Sequence, residues 1–306
     1  MKTELRRSVC PFDCPDTCGL LVEIREGKVS RTLGDPEHPY SKGTLCPKMS
    51  QYEKTVYSPE RLTQPLLRTG PKGSGSFKPL TWEEALDIIV ERWQHIIAEY
   101  TAEAILPYSY AGVMGMVQRN CGEAFFHRLG ASRLKRTICS TAKAFGWGLV
   151  MGESLPAHPA EVLQSDFIIM WGTNALATNI HMYNNIREAK KQGAKVWLIE
   201  TYETPSAQIA DKVILSKPGR DAALALGLLH ILVRDNFVDK DFIAANVQGY
   251  DEFSAKVLPN YPPARVSEIT GVDRNVLEEL AHEYAQAKAP FITLGSGLSR
   301  YGNGAM

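Results

Sequence analysis

Ser165-Asp-Phe-Ile-Ile-Met-Trp171-Gly-Thr-Asn174 is a short apolar run that ends in a glycine-containing turn. Such a run predicts a buried strand. A helical pattern follows to about Lys191, Gly193 stops it, and the apolar stretch 194–200 predicts the next strand. Strand, helix and strand in this order predict a right-handed crossover between parallel strands. With a third strand at 212–216, the sequence predicts an α/β fold with a doubly wound, mostly parallel sheet.

The turns that follow these strands predict a ligand site. Because parallel strands end at one shared edge, residues 172–174 should lie beside residues 200–204, and Glu200 could accept hydrogen bonds from ribose hydroxyls. Pro218 and Gly219 suit a tight turn before the helix 222–233, whose first amides suit an anion. The sequence has no G-x-G-x-x-G motif, so an ordinary NAD site is poorly supported.

The first 57 residues predict a small unit crosslinked by metal. Cys10, Cys14 and Cys18 precede a β-hairpin at 20–33, and Cys46 follows it, so folding the hairpin brings the fourth thiol close. Structural zinc sites generally use paired cysteines on both sides, whereas three ligands plus a distant fourth favour an iron–sulfur cubane. Zinc ligation and unrelated structural thiols remain alternatives at this point. Considered without further information, Lys48 is expected to be a solvated surface lysine.

The segment between these regions carries weaker signals. Residues 58–80 predict a linker, and a capping box at 81–84 predicts the start of a helix in which Trp82 and Trp93 are core aromatics. Residues 104–110 predict a strand and 121–129 an amphipathic helix. Helix 272–287 and strand 291–294 then lead to a glycine-rich loop.

Charge and hydropathy exclude several classes of function. The 34 basic and 34 acidic residues balance, so nucleic acid is an unexpected partner. No run approaches the length of a membrane-spanning helix, and Arg6-Arg7 precede no apolar export signal. We therefore expect a cytoplasmic protein without membrane insertion, in which six cysteines serve metal binding or catalysis rather than disulfides.

An ordered set of motifs identifies a family resemblance. The chain resembles the molybdopterin-dependent oxidoreductases of the dimethyl-sulfoxide-reductase and formate-dehydrogenase type. The resemblance rests on Cys10-x₃-Cys-x₃-Cys18, Cys46-Pro-Lys48, Glu60-Arg-Leu62, Pro65-Leu-Leu-Arg68, Thr81-Trp-Glu-Glu-Ala85, Trp171-Gly-Thr-Asn174, Pro218-Gly-x-Asp221 and Gly295-Ser-Gly297.

The resemblance implies two redox centres. The four amino-terminal cysteines would hold a [4Fe-4S] cluster, and Lys48 would lie in the electron path between that cluster and a pterin. Molybdenum or tungsten would be bound by bis-molybdopterin guanine dinucleotide, with Cys139 as the protein ligand and Ser140 as the second choice. The pterin–nucleotide contacts would be Trp171, Gly172, Asn174, Glu200, Thr204, Pro218, Gly219 and Asp221.

The residue after Cys139 bears on the substrate. Formate dehydrogenases of this type carry histidine there, whereas this chain has Ser140, which favours an oxyanion, a sulfur compound or an N- or S-oxide over formate. The expected partners are that small molecule and an electron-transfer protein or iron–sulfur subunit. The alternative is a non-catalytic [4Fe-4S] electron-transfer module that has lost the metal–pterin site.

The resemblance also predicts how the chain divides. Residues 1–57 would form the [4Fe-4S] domain, 58–135 the first part of a molybdopterin-binding α/β domain, 136–262 an α/β dinucleotide-binding domain, and 263–306 a return to the earlier domain. Family members are usually several hundred residues longer. We therefore expect 306 residues alone to be a truncated form that cannot enclose two pterin dinucleotides.

Overall fold

The computed structural model describes residues 3–110, 112, 116–138, 140–153 and 155–305. The chain forms two compact units, Met1–Arg136 and Thr137–Met306. Within the described part of the chain, no helix combines the length and apolar character needed to cross a lipid bilayer.

The first unit begins with an antiparallel sheet in the order β1–β2–β3. Its strands are β1 (Thr3–Val9), β2 (Gly19–Arg25) and β3 (Lys28–Gly34). The predicted hairpin is confirmed by β2 and β3, whose turn places Glu26 and Gly27 at φ 51° and 77°. Strand β1 was not predicted, because all seven of its residues are exposed and leave no alternating apolar pattern.

The rest of this unit is built from short elements around one long helix. They are α1 (Tyr52–Val56), β4 (Leu66–Arg68), β5 (Phe77–Pro79), α2 (Trp82–Tyr100), α3 (Met116–Asn120) and α4 (Glu123–Leu129). The predicted capping box is confirmed: the Glu84 amide donates to Thr81 Oγ1 at 3.2 Å, and the Thr81 amide donates to Glu84 Oε2 at 2.7 Å.

Two predictions in this region are wrong. Trp93 packs against the rings of Phe125 and Phe126. Trp82, in contrast, is 69% exposed and is not a core residue. The predicted strand 104–110 is absent from the described residues there. A 3-10 turn at Ala102–Ala104 precedes an irregular stretch in which the Ile105 carbonyl accepts from the Ser132 amide at 3.0 Å, outside any strand ladder. An apolar run alone does not supply the neighbouring strand that a sheet requires.

The second unit is a parallel sheet in the order β8–β7–β6–β9. Its strands are β6 (Phe167–Trp171), β7 (Lys195–Glu200), β8 (Lys212–Leu215) and β9 (Pro290–Leu294). The predicted α/β class and the parallel crossover are confirmed. The helices are α5 (Thr141–Met151), α6 (Ala175–Thr178), α7 (Ile180–Lys191), α8 (Asp221–Arg234), α9 (Lys240–Asn246), α10 (Tyr250–Lys256), α11 (Pro263–Thr270) and α12 (Arg274–Gln286).

Side chains alternate along the strands into two cores. Phe167, Ile169 and Trp171 point into one core with α8, α11 and α12. Ile168 and Met170 point into the other, which includes residues of α7. Because both faces of β6 and β7 are covered, these two strands read as continuous apolar runs, which is the signal that predicted them.

We predict that Leu198→Ala destabilises the second unit by about 2–5 kcal/mol, since Leu198 is fully buried in β7 and its truncation leaves a cavity. The matched control is Leu215→Ala at the end of β8, where the side chain is 49% exposed and the change should stay within about 0.5 kcal/mol. Denaturant unfolding followed by tryptophan fluorescence measures both. Equal losses in the two variants would contradict this account of the core.

Candidate functional site

The four predicted ligand cysteines lie at the ends of the amino-terminal sheet. Cys10 and Cys14 lie between β1 and β2, Cys18 directly precedes β2, and Cys46 follows the turn after β3. The Cys10 amide donates to the Cys18 carbonyl at 2.9 Å, which closes the loop that carries Cys14. The Cys46 carbonyl accepts from the amides of Met49 and Ser50 at 3.1 and 3.0 Å. Local backbone bonds therefore fix both parts of the cysteine group.

The four thiols are close enough for their charges to affect one another. Burial raises the pKa of Cys18 to about 12, with further contributions from Asp16 and from the thiolates of the other three cysteines. Burial also raises the pKa of Cys10, with smaller effects from Cys14 and Cys46. Four partly buried thiolates would repel one another, and bound metal cations would offset that repulsion. The residues fit an all-thiolate metal or iron–sulfur site.

Two residues beside the cysteine group were not predicted. Asp16 is 3% exposed and raises the pKa of Cys18. Burial raises the pKa of Tyr40, and Asp16, Cys18 and Cys14 raise it further. Asp16 lies inside the cysteine motif, but its burial depends on the folded sheet, and nothing in the local sequence marks Tyr40.

Two further residues predicted for the metal sites, Lys48 and Ser140, lie on the surface. The side chain of Lys48 is exposed, and Lys48 follows the predicted ligand Cys46 by two residues. Cys139 lies outside the described residues, so its role stays a prediction. Ser140 is exposed at the N-cap position of α5. Cys121, for which no ligand role was predicted, is exposed and donates from Sγ to the Gln118 carbonyl at 3.4 Å.

The second unit collects four strand ends at one edge of its sheet. The Gly172 amide donates to the Ile199 carbonyl, and the Gly295 amide donates to the Trp171 carbonyl, both at 2.8 Å. Ser206 Oγ donates to Asn174 Oδ1 at 2.9 Å, which joins the loops after β6 and β7. The predicted adjacency of residues 172–174 and 200–204 is thereby confirmed.

A cavity of about 620 Å³ opens at this edge. Three predicted nucleotide contacts line it: Trp171, Gly219 and Asp221. Trp171 Nε1 donates to Asp221 Oδ1 at 2.9 Å, which orients both side chains. The remaining predicted contacts do not line this cavity; they are Gly172, Asn174, Glu200, Thr204 and Pro218.

Two carboxylates, those of Glu200 and Asp221, lie close together at this edge. Desolvation raises the pKa of Glu200, the neighbouring Asp221 raises it further, and the Thr201 amide lowers it by donating to the Glu200 carboxylate at 3.2 Å. Thr204 Oγ1 is buried and has no hydrogen-bond partner among the described residues. Two carboxylates with spare acceptor capacity fit the hydroxyls of a ribose or the N–H groups of a base.

Residues 295–305, which we call the covering segment, lie over the strand ends. A Cβ added at Gly172 would be 2.3 Å from Leu298 Cδ1, and one added at Gly219 would be 2.7 Å from Tyr301 Cδ1. Both glycines have positive φ, 61° and 71°. A ligand lying directly on either glycine therefore needs Leu298 or Tyr301 to move. The sequence shows the glycine-rich loop but carries no signal for its position over these glycines.

We predict that Glu200→Gln raises the Tm at about pH 7.5 and that this gain disappears toward about pH 4. Above its raised folded-state pKa, wild-type Glu200 is a desolvated anion that destabilises the fold. Below that pKa it is neutral, like glutamine. Thermal unfolding across this pH range measures the difference. The control, Glu203→Gln at an exposed site in the same loop, should show no such pH-dependent gain.

Family models match nearly the whole chain. The model described as the molybdopterin oxidoreductase Fe4S4 domain matches residues 3–58, and the model described as molybdopterin oxidoreductase matches residues 61–306. The solved structure of acetylene hydratase from Pelobacter acetylenicus has a similar fold, with a TM-score of 0.78 and 24% identity. The similarity covers 98% of this chain and 41% of that one.

Curated relatives agree with the family models. The chain is 42% identical to the probable oxidoreductase YoaE of Bacillus subtilis (strain 168), over 98% of this chain and 44% of YoaE. It is 26% identical to formate dehydrogenase H of Escherichia coli (strain K12), over 97% of this chain and 42% of that protein. The chain thus spans less than half the length of these relatives. The motif resemblance is confirmed: the chain belongs to the molybdopterin oxidoreductase family and carries its Fe4S4 domain.

Proposed function

We propose that this chain is part of the catalytic subunit of a molybdenum or tungsten oxidoreductase that binds bis-molybdopterin guanine dinucleotide. Electrons would pass between a substrate at the metal and a [4Fe-4S] cluster held by Cys10, Cys14, Cys18 and Cys46. The observation that carries the proposal is the match of residues 3–58 to the Fe4S4 domain model, and the mutual charge effects among the four thiols support it.

The chain's own groups have separate roles in this proposal. The four thiolates hold the cluster, and their partial burial keeps water from it and tunes its potential. Lys48 places a cation two residues from the ligand Cys46, on the proposed electron path. Cys139 supplies a soft ligand suited to a sulfur-rich metal site. The bound cofactor supplies the two-electron redox chemistry.

The sheet edge would bind part of the cofactor. Glu200 and Asp221 would accept hydrogen bonds from the nucleotide, and Trp171 would hold Asp221 in place. Asn174, Thr204, Gly172, Pro218 and Gly219 belong to the same edge and remain proposed contacts. The acceptor oxygens of these two carboxylates support a role toward the hydroxyls of a ribose or the N–H groups of a base.

The proposed substrate is an oxyanion, a sulfur compound or an N- or S-oxide. The support is Ser140, because the position after the proposed metal ligand lacks the histidine expected for handling the formate proton. The proposed partners are this small molecule and an electron-transfer protein or iron–sulfur subunit. We further propose that the protein works in the cytoplasm.

A second candidate is an electron-transfer module that holds only the cluster. One observation favours it: Leu298 and Tyr301 lie over Gly172 and Gly219, two of the proposed cofactor contacts. In that case the cysteine group would be retained and the sheet edge would bind no pterin.

Metal content separates the candidates. Anaerobically purified protein should contain about four irons per chain together with molybdenum or tungsten. Iron without the heavier metal would favour the electron-transfer module, and zinc alone would exclude both candidates.

Substitution of single cysteines tests the ligand assignment. Cys46→Ser should lower the iron content and the visible absorbance of the cluster, because a hydroxyl is a poor replacement for a thiolate ligand. Cys121→Ser is the matched control and should leave both unchanged, since Cys121 is exposed and lies outside the cysteine group. Equal iron loss in the two variants would show that the assignment is wrong.

Substrate assays test the role of Ser140. With a reduced viologen dye as electron donor, the full-length enzyme should reduce an oxyanion or an N- or S-oxide and should oxidise formate slowly or not at all. The Ser140→His variant should gain formate oxidation if the side chain after the metal ligand determines this preference. Rapid formate oxidation by the wild type would contradict the proposed substrate class.

A further inference from the structure

The start of helix α5 is tied to the covering segment by a side chain that no motif assigned. Arg300 Nη1 donates to the Ile138 carbonyl at 2.8 Å. Ile138 and Ser140 flank the position of the proposed metal ligand, and α5 begins directly after them. A guanidinium bond to a backbone carbonyl is charge-assisted and directional, so it constrains the backbone more than a neutral contact would.

A second contact joins the same two segments further along the helix. A Cβ added at Gly146 of α5 would lie 2.0 Å from the Ala305 carbonyl oxygen and 2.9 Å from its carbon. The backbone of the covering segment therefore packs directly against the glycine face of α5. The 3-10 turn Ser296–Arg300 also contacts this helix. Together these contacts connect α5 with the segment at its beginning and in its middle.

The other end of this connection is the sheet edge. The Gly295 amide bonds to the Trp171 carbonyl, Leu298 lies over Gly172 and Tyr301 lies over Gly219. One stretch of eleven residues, 295–305, therefore contacts three of the proposed cofactor-binding residues and the backbone beside the proposed metal ligand. The distance between the sheet edge and the start of α5 therefore depends on the position of residues 295–305.

We propose that Arg300 is a positioning residue that fixes the backbone leading into α5 and so sets the position of the metal ligand relative to the sheet edge. This role rests on the proposed function, because it assigns the ligand to Cys139. Arg300 acts through the Ile138 carbonyl and takes no part in the chemistry. Gly146 has a supporting role, since its missing side chain lets Ala305 approach.

Hydrogen exchange, compared between the wild-type protein and Arg300 variants, tests the bond between Arg300 and the Ile138 carbonyl. Arg300→Gln should accelerate exchange of the amides in 137–142 several-fold, because losing the guanidinium bond allows this backbone to open. Arg300→Lys should restore part of the protection, since an ammonium can still donate to the Ile138 carbonyl. Unchanged exchange in Arg300→Gln would overturn the proposal.

Two glycine variants on one helix supply a matched control. Gly146→Ala should also accelerate exchange in 137–142, because its methyl group meets the Ala305 carbonyl. Gly148→Ala should not, since nothing lies within 4 Å of its added Cβ and alanine favours a helix. Equal behaviour of the two variants would count against the packing of the covering segment on α5.

Metal-edge X-ray absorption of the cofactor-loaded, full-length protein tests the effect on the ligand. At unchanged metal content, Arg300→Gln should lose or lengthen one metal–sulfur contact, and Gly148→Ala should match the wild type. Faster exchange with an unchanged spectrum would refute the positioning role. Absence of molybdenum and tungsten from the wild type would instead refute the proposed function, and exchange alone would then decide whether Arg300 holds this backbone.

Discussion

Burial of strand β6 on both faces is the constraint on which the second unit depends. Each residue from Phe167 to Trp171 is at most 5% exposed, and successive side chains enter opposite cores. Such a strand is stable only between two neighbours, which are β7 and β9. Because all three are parallel, their carboxyl ends meet at one edge. At that edge Gly295 approaches the Gly172 carbonyl so closely that an added Cβ would be 1.6 Å from its oxygen.

The chemistry of the edge follows from this packing. Strand ends beside a dry core place polar groups where water is scarce, so Glu200 is desolvated and the bond between Trp171 and Asp221 is partly buried. Electrostatic interactions are stronger in such surroundings than in water. The same close packing leaves room for glycine alone beneath Leu298 and Tyr301. The edge therefore carries hydrogen-bond acceptors and is also covered by the chain itself.

The first unit is stabilised differently. Its buried apolar side chains, among the residues described, are Cys18, Leu20, Met49 and Ile105. A core this small supplies little hydrophobic free energy, and one of its members is itself a proposed metal ligand. Metal ligation by the cysteine group would couple the loops around the sheet into one structure. Metal binding and folding would thus be linked in this unit, whereas the sheet of the second unit has a substantial core of its own.

The sequence by itself determined the α/β class, the strands β6 to β9, the hairpin and the spacing of the cysteine group. These features could be predicted because apolar runs, alternation of apolar residues and cysteine spacing are local signals in the sequence. It missed β1, whose residues are all exposed, and it assigned Trp82 to a core that does not include it. Only the tertiary structure placed β9 beside β6 and thereby laid the covering segment over the sheet edge. Strand order depends on contacts between distant residues, so the link from Arg300 to the start of α5 carries no local signal in the sequence.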